Sequence, residues 1–331
     1  MIRARIRFVL CLPLICSTAA VIPASAQHFE QMEGALTQVA AGRNEVWGLD
    51  GSEIYRFNAN SKKFAKIKGS LAQIAVGGGT LTQLDEVWGI NSSGDVYRYD
   101  FSTKSLVFIA GGKECPTCFP VAYSQIAAGP GYEDSCHPYE IWGLNNFGTV
   151  RYNYCSSQFD TISNPSGISF AQIATAGGDV WALSPTSGTK KGVTTNVWEY
   201  APAYDGWFVG GFSVGDSLEF TQITVGVNDV WGISKGAEGQ ACWFPWAPSD
   251  YISDMSGGCW LTAQVATGGD GVWAIYSISG ANGLIARWDF QQAGFSSPFS
   301  LTSPALQIAV GSGAGVWAVD SSDRVYTFVR P

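Results

Sequence analysis

The sequence predicts an all-β fold, a seven-bladed β-propeller of four-stranded antiparallel blades whose ring is closed by the N-terminal strand completing the last blade. Three observations predict it. First, a β-branched residue, Trp, Gly or Ala, and an aliphatic residue follow one another seven times, at 46–49, 87–90, 141–144, 180–183, 230–233, 272–275 and 316–319. Self-similarity at roughly 40–50 residues marks a stacked repeat. Second, no window after residue 27 shows an amphipathic helical period. Each unit instead reads as four short apolar runs separated by Gly, Asn, Asp or Ser, the pattern of strands and tight turns. Third, unit seven stops after its third strand, and residues 29–36 line up with residues 64–71, which span a fourth strand and the turn after it. A first strand that completes the last sheet limits exposed edges in a ring, whereas a linear stack needs polar caps at both ends.

Unit two gives the elements in order. Its first strand is 71–76, stopped by Gly77, and its second is 86–90. Asn91-Ser92-Ser93-Gly94 supplies a hairpin turn, and strands at 96–99 and 105–109 come after it. The first strand recurs with a Gln before an aliphatic residue at Gln38, Gln73, Gln125, Gln172, Gln222, Gln264 and Gln307. The third strand recurs at 54–57, 150–152, 197–200, 285–288 and 325–328, and is blurred around Trp243 by Cys242 and Pro245. The fourth recurs at 64–67 and 159–162, and less clearly near Trp207 and Phe208.

Residues 1–26 read as a secretory signal. Arg3, Arg5 and Arg7 give a positive start, residues 8–15 an apolar run, and Ala24-Ser25-Ala26 a small-residue cleavage site before Gln27. Residues 27–331 are then expected to be one exported domain, secreted or periplasmic, with no membrane span, since no later run reaches ~20 apolar residues. The formal net charge is −8, and the signal carries away only positive charge. An acidic chain lacks the basic footprint that nucleic acid requires, so no nucleic-acid partner is expected. Of eight cysteines, Cys11 and Cys16 leave with the signal. Six in an exported chain suggest three disulfides. Cys136 and Cys155 flank the hairpin around residues 145–148 at about equal distance, which sets them opposite each other. Cys242 and Cys259 flank a second hairpin likewise, and Cys115 and Cys118 are left to pair with each other.

The repeated Trp suits core packing between neighbouring sheets, where burying one aromatic side chain contributes roughly 2–3 kcal/mol. The small residue after it leaves room for neighbouring backbone. The seven Gln residues suit buried amides that satisfy backbone groups between units. Glu45, Glu86, Glu140, Asp179 and Asp229 precede the Trp strand, while units six and seven carry Gly271 and Gly315 there. Two readings of these acids stand side by side: they pair with Arg56, Arg98, Arg151 and Arg287 of the third strand, or acids, arginines and Asn residues at strand ends hydrogen-bond a ligand. Trp243 and Trp246, in a Cys-bounded hairpin, form the best candidate for an exposed aromatic patch.

The patterns Leu-x-Gln-Ile, Val-Trp-Gly-Ile-Asn and Val-Tyr-Arg, clearest at residues 71–98, resemble the tectonin repeat, and the resemblance extends over about 29–328. It implies a β-propeller lectin, a secreted or surface protein that binds cell-surface or microbial glycans, some members recognising O-methylated sugars, with several shallow sites around the ring. On the reading in which strand-end acids, arginines and Asn residues and the aromatic hairpin contact a sugar, the expected ligand-binding positions are Glu45, Arg56, Glu86, Asn91, Arg98, Glu140, Asn145, Arg151, Asp179, Asp229, Trp243 and Trp246. The rival from another class is a protein-interaction or envelope scaffold propeller without a sugar site.

No catalytic residue, metal site or cofactor is expected. The only histidines, His28 and His137, lie in no metal-ligand spacing. No nucleophile elbow, phosphate loop or dinucleotide fingerprint occurs. The carboxylates recur with the repeat, which argues against a single acid/base pair; a glycosidase using carboxylates alone is the form an enzyme would take.

Overall fold

The protein was analysed as a computed structural model, which describes residues 27–79, 83–112, 121–190, 193–209, 217–226, 229–234, 241–245, 262–278, 281–290 and 294–330. Residues 1–26, Cys115, Cys118, Trp246 and Cys259 lie outside them, as do the side chains of Cys242, Trp243 and Asp229.

Each sequence unit forms a run of antiparallel strands, and a parallel pairing of Glu33 with Lys63 joins units one and seven into one eight-stranded sheet. Unit two runs Gln73–Gly77, Glu86–Ile90, Val96–Asp100, Ser105–Ala110, each strand paired with the next. Units one, three, four and six repeat this order, while unit five shows three strands among the described residues. The blurred third strand of unit five does form, as Ala241–Pro245, with Trp243 opposite Trp231. The N-terminal strand His28–Ala35 pairs antiparallel with the last strand, Arg324–Val329, setting Phe29 opposite Phe328. Phe64 stands opposite Phe57 in unit one, so residues 29–36 hold the register that their alignment with 64–71 predicts. Besides strands, the described residues include one turn of 3-10 helix, Pro202–Tyr204.

Period two dictates what the second strand buries. All five residues of Glu86–Ile90 are buried, because both faces are covered by neighbouring sheets. Trp47, Trp88, Trp142, Trp231 and Trp273 are fully buried. Each meets an aromatic ring on the third strand of the following unit edge-on: Trp47 with Tyr99 at 4.7 Å, Trp88 with Tyr152 at 4.8 Å, Trp142 with Tyr200 at 4.7 Å, Trp231 with Trp288 at 5.0 Å and Trp273 with Phe328 at 4.7 Å. Trp317 of unit seven meets Phe57 of unit one at 4.7 Å. These T-shaped pairs are the favoured aromatic geometry and hold sheet to sheet. The glycine after the Trp makes room for something other than the neighbouring sheet. A Cβ at Gly48 would strike Leu36 and the Gln38 carbonyl oxygen, and one at Gly89 would strike Leu71 and the Gln73 carbonyl oxygen, all from the same unit.

The glutamines form a second set of links. The Gln125 side chain accepts from Ile173 N–H at 2.7 Å and donates to Ile173 C=O at 3.0 Å. Gln38 accepts from Ile74, Gln73 from Ile126, Gln172 from Ile223, Gln222 from Val265 and Gln264 from Ile308. Gln307 accepts from Val39 N–H at 2.7 Å and donates to Val39 C=O at 3.2 Å, so the contacts return to unit one. Each amide thus satisfies first-strand backbone groups that have a second-strand neighbour on one side only. The first strands surround an axial cavity of about 320 Å³ lined by Ala75, Ala127, Ala174, Thr224, Ala266, Ala309 and their neighbours.

Candidate ligand-binding clefts

In units one to five an acidic residue stands two positions before the Trp, near the start of the second strand at one rim of the molecule. In unit one Trp47 is opposite Arg56, in unit two Trp88 is opposite Arg98, and in unit three Trp142 is opposite Arg151. Strand alternation then places the acid two residues before the Trp on the same sheet face as both. Glu86 accepts from Trp88 Nε1 at 3.1 Å, Arg98 Nε at 2.6 Å and Arg98 Nη2 at 2.6 Å. Glu45 accepts from Trp47 at 3.1 Å and from Arg56 Nε and Nη2 at 2.7 and 2.6 Å. Glu140 accepts from Trp142 at 2.6 Å, Arg151 Nε at 2.9 Å and Arg151 Nη2. Such bidentate pairing is among the stronger hydrogen-bonded arrangements in proteins. The acids are buried, but Arg56 and Arg98 each keep 37% of their side-chain surface exposed.

Each guanidinium is also held between rings. Arg56 lies 5.8 Å from the Trp47 ring centre and 5.2 Å from Phe101 of the next unit; Arg98 lies 6.0 Å from Trp88 and 5.4 Å from Tyr154. Burial would lower the Arg98 guanidinium, yet its bonds to Glu86 hold it above its ordinary value. Burial also raises the Glu140 carboxyl above its ordinary value, outweighing Arg151 and Trp142. The acid therefore orients the arginine through Nε and Nη2, and leaves Nη1 outside the pair.

Two clefts open at these arginines. The cleft between units one and two has a volume of about 500 Å³ and is lined by Glu45, Arg56, Asn58, Asn60, Tyr99 and Lys104. The cleft between units two and three, about 540 Å³, is lined by Asp85, Glu86, Arg98, Phe101, Tyr139 and the apolar Leu84, Val107 and Ile109. Asp85 braces the rim: its carboxylate accepts from the backbone N–H of Arg43, Asn44, Glu45 and Gly79. Tyr99, Phe101 and Tyr139 are not among the positions read from sequence. Tyr99 and Tyr139 come from the following unit, whereas Phe101 lines the cleft of its own unit and faces Arg56 of the unit before it, and laying one repeat beside the next in register would have found them.

The remaining predicted positions fall elsewhere. Asn91 and Asn145 end the second strand at the opposite rim, roughly 16 Å from the acids at 3.3 Å per residue. Their side-chain oxygens accept from the N–H groups of Ser93 and Asp95, and of Phe147 and Gly148, closing the hairpin turns. The structure therefore does not bring them together with the Glu–Arg pairs. In unit four Asp179 is buried, but the residue opposite Trp181 is Glu199, whose carboxyl is raised by burial. Asp229 begins the second strand of unit five, and Trp243 lies opposite Trp231. The disulfide predicted for Cys136 and Cys155 is present, with Cα atoms 5.0 Å apart. The pairs Cys115–Cys118 and Cys242–Cys259 lie outside the described residues.

This arrangement places the chain among β-propellers. It is similar to the crystal structure of the Cps50 (Swd1) β-propeller domain of Myceliophteria thermophila, with a TM-score of 0.61 and 9% identity, over 92% of this chain and 99% of that one. It is also similar to PorZ, a bacterial surface component of the type-IX secretion system of Porphyromonas gingivalis, with a TM-score of 0.50 and 9% identity, over 88% of this chain and 36% of that one. The Tectonin domain family model matches residues 16–186, just over half of the sequence, and the chain belongs to that family. No curated protein matches it. Among the described residues no helix is long and apolar enough to cross a membrane.

Proposed function

We propose that this chain is an exported, non-catalytic carbohydrate-binding propeller. Residues 27–331 form one domain of seven blades, closed by the N-terminal strand and released by cleavage before Gln27. The observation that carries the binding reading is the pair of clefts at equivalent register, each edged by a partly exposed arginine whose Nε and Nη2 are fixed by a buried Glu, with Nη1 outside that pairing. A sugar offers hydroxyl and ring oxygens to such donors and a C–H face to rings such as Phe101 and Tyr139. In the second cleft Leu84, Val107 and Ile109 lie near Arg98, so an O-methyl group has apolar surface to cover; one such group is worth roughly 0.8 kcal/mol, about fourfold in affinity. Weak sites repeated around one ring gain avidity on a multivalent cell-surface or microbial glycan.

A glycan array that includes O-methylated sugars tests this. The expected result is binding that falls at least tenfold in Arg98→Met while the thermal transition stays cooperative. Failure to bind any glycan at high protein concentration would overturn the reading and favour a scaffold role. The N-terminal mass of the exported protein checks the cleavage, with Gln27 expected as its first residue.

A further inference from the structure

The seven units carry an internal control for one charge. In units one to three the arginine opposite the Trp has its Nε and Nη2 bound by the unit's own Glu. Unit seven has Gly315 in place of the acid and Thr327 opposite Trp317, so acid and arginine are both missing. Unit six differs from all of these. It keeps the arginine, Arg287, opposite Trp273, but has Gly271 where the acid would stand. The position a Cβ of residue 271 would take lies 3.4 Å from Arg287 Nε and 3.5 Å from Nη2, the same two nitrogens that bind Glu in the sister units. The backbone at Gly271 has φ +92°, a conformation that disfavours any side chain there.

Nothing within the described chain replaces the lost acid. Arg287 Nε is buried and has no hydrogen-bond partner among the described residues. Trp273 Nε1 donates instead to the Asp270 carbonyl oxygen at 3.2 Å. The Asp270 carboxylate is taken by Arg330 of unit seven. A partly buried guanidinium without a counter-charge is costly, and the cost falls when an anion arrives. The residue as a whole is only partly buried.

From this we infer that Arg287 is the binding point for a ligand carboxylate, and that the ligand is a glycan bearing a uronic acid. The carboxylate is argued from the sister units, which place one at the equivalent arginine. The sugar rests on the carbohydrate-binding reading above. A planar carboxylate matches the two parallel N–H groups of a guanidinium edge. Unit six would then select acidic glycans, while the clefts of units one to three, already neutralised internally, take neutral ones.

Titration with methyl β-D-glucuronide and with methyl β-D-glucoside tests this, read by calorimetry and by the Trp indole N–H resonances. The glucuronide is expected to bind at least tenfold more tightly than the glucoside in low salt, and to weaken as salt is raised. In Arg287→Gln the advantage should disappear. Arg287→Thr, which copies the residue of unit seven, should do the same and guards against a folding defect in the first variant. Equal affinity for the two glycosides, or a glucuronide preference unchanged in both variants, overturns the inference and leaves the carbohydrate reading standing. Binding of neither glycoside together with a blank glycan array overturns both.

Discussion

At the scale of single residues, the structure separates roles that the sequence leaves side by side. The conspicuous Trp of each repeat and the inconspicuous Gln do the same job by different physics, one through ring contact and the other through hydrogen bonds. Replacing Gln125 with Leu leaves the N–H and C=O of Ile173 without their partner across the unit boundary. An unsatisfied buried backbone group costs about 1–3 kcal/mol. Gln125→Leu is therefore expected to lower unfolding free energy by about 2–4 kcal/mol in urea titrations, although the leucine is more apolar. Asp320 makes a second test. Burial would raise its carboxyl, but the N–H groups of Ser322 and Arg324, with Arg324 and Tyr326 side chains, outweigh burial and hold it below the usual carboxylate range. A depressed folded pKa contributes stability that is present above the ordinary value near 3.9 and is lost as pH falls through the folded one. The stability gap between wild type and Asp320→Asn should thus be widest near pH 6 and shrink below pH 4, as read from urea midpoints across that range.

At the scale of elements, the hairpin of unit three is tied covalently. Cys136 precedes the second strand and Cys155 follows the third, and Tyr154 N–H bonds the Cys136 carbonyl oxygen at 2.9 Å. The bridge closes a loop spanning 19 positions, which in the chain-entropy account is worth about 3 kcal/mol. Cys136→Ser with Cys155→Ser should lose about that much in thermal or urea unfolding, and reduction of the wild type should lose a similar amount. This pairing was legible in the sequence because a hairpin sets positions at equal distance from its turn opposite each other. The Glu–Arg pairing was legible only in part. Strand alternation places Glu86 and Arg98 on one face, but alternation also leaves Asn91 open as a neighbour until the turn is seen to lie at the other rim. Tyr99 and Tyr139 could not be assigned to a cleft from one repeat alone, since each cleft is shared by two.

At the scale of the whole molecule, the N-terminal strand joins the ends of the chain. Phe29 packs on Trp273, Phe299 and Phe328, and Met32 is buried against unit seven. A chain that starts at residue 36 should leave Arg324–Val329 as a bare edge and lose the Phe29 contacts. Truncating one large core aromatic costs about 3–5 kcal/mol, somewhat less for the partly buried Phe29, and an unpaired edge invites association. The shortened protein should show a lower thermal midpoint and concentration-dependent aggregates in size-exclusion chromatography. Phe29→Ala alone should lower the midpoint without opening the edge.

What the sequence by itself determined is the repeat. Period-two alternation, the turn residues and the seven Trp positions define the strands, their order and the hairpin disulfide, because each depends on neighbours close along the chain. What only the tertiary structure decided is which repeats are chemically complete. Whether a carboxylate meets an arginine depends on backbone that brings positions 86 and 98, or 271 and 287, to one spot, and on the face of the next unit that covers them. The same register that closes a buried ion pair in units one to three sets Arg287 opposite Trp273 with Gly271 where the acid would stand, and that difference becomes visible only when equivalent positions of different units are compared in space.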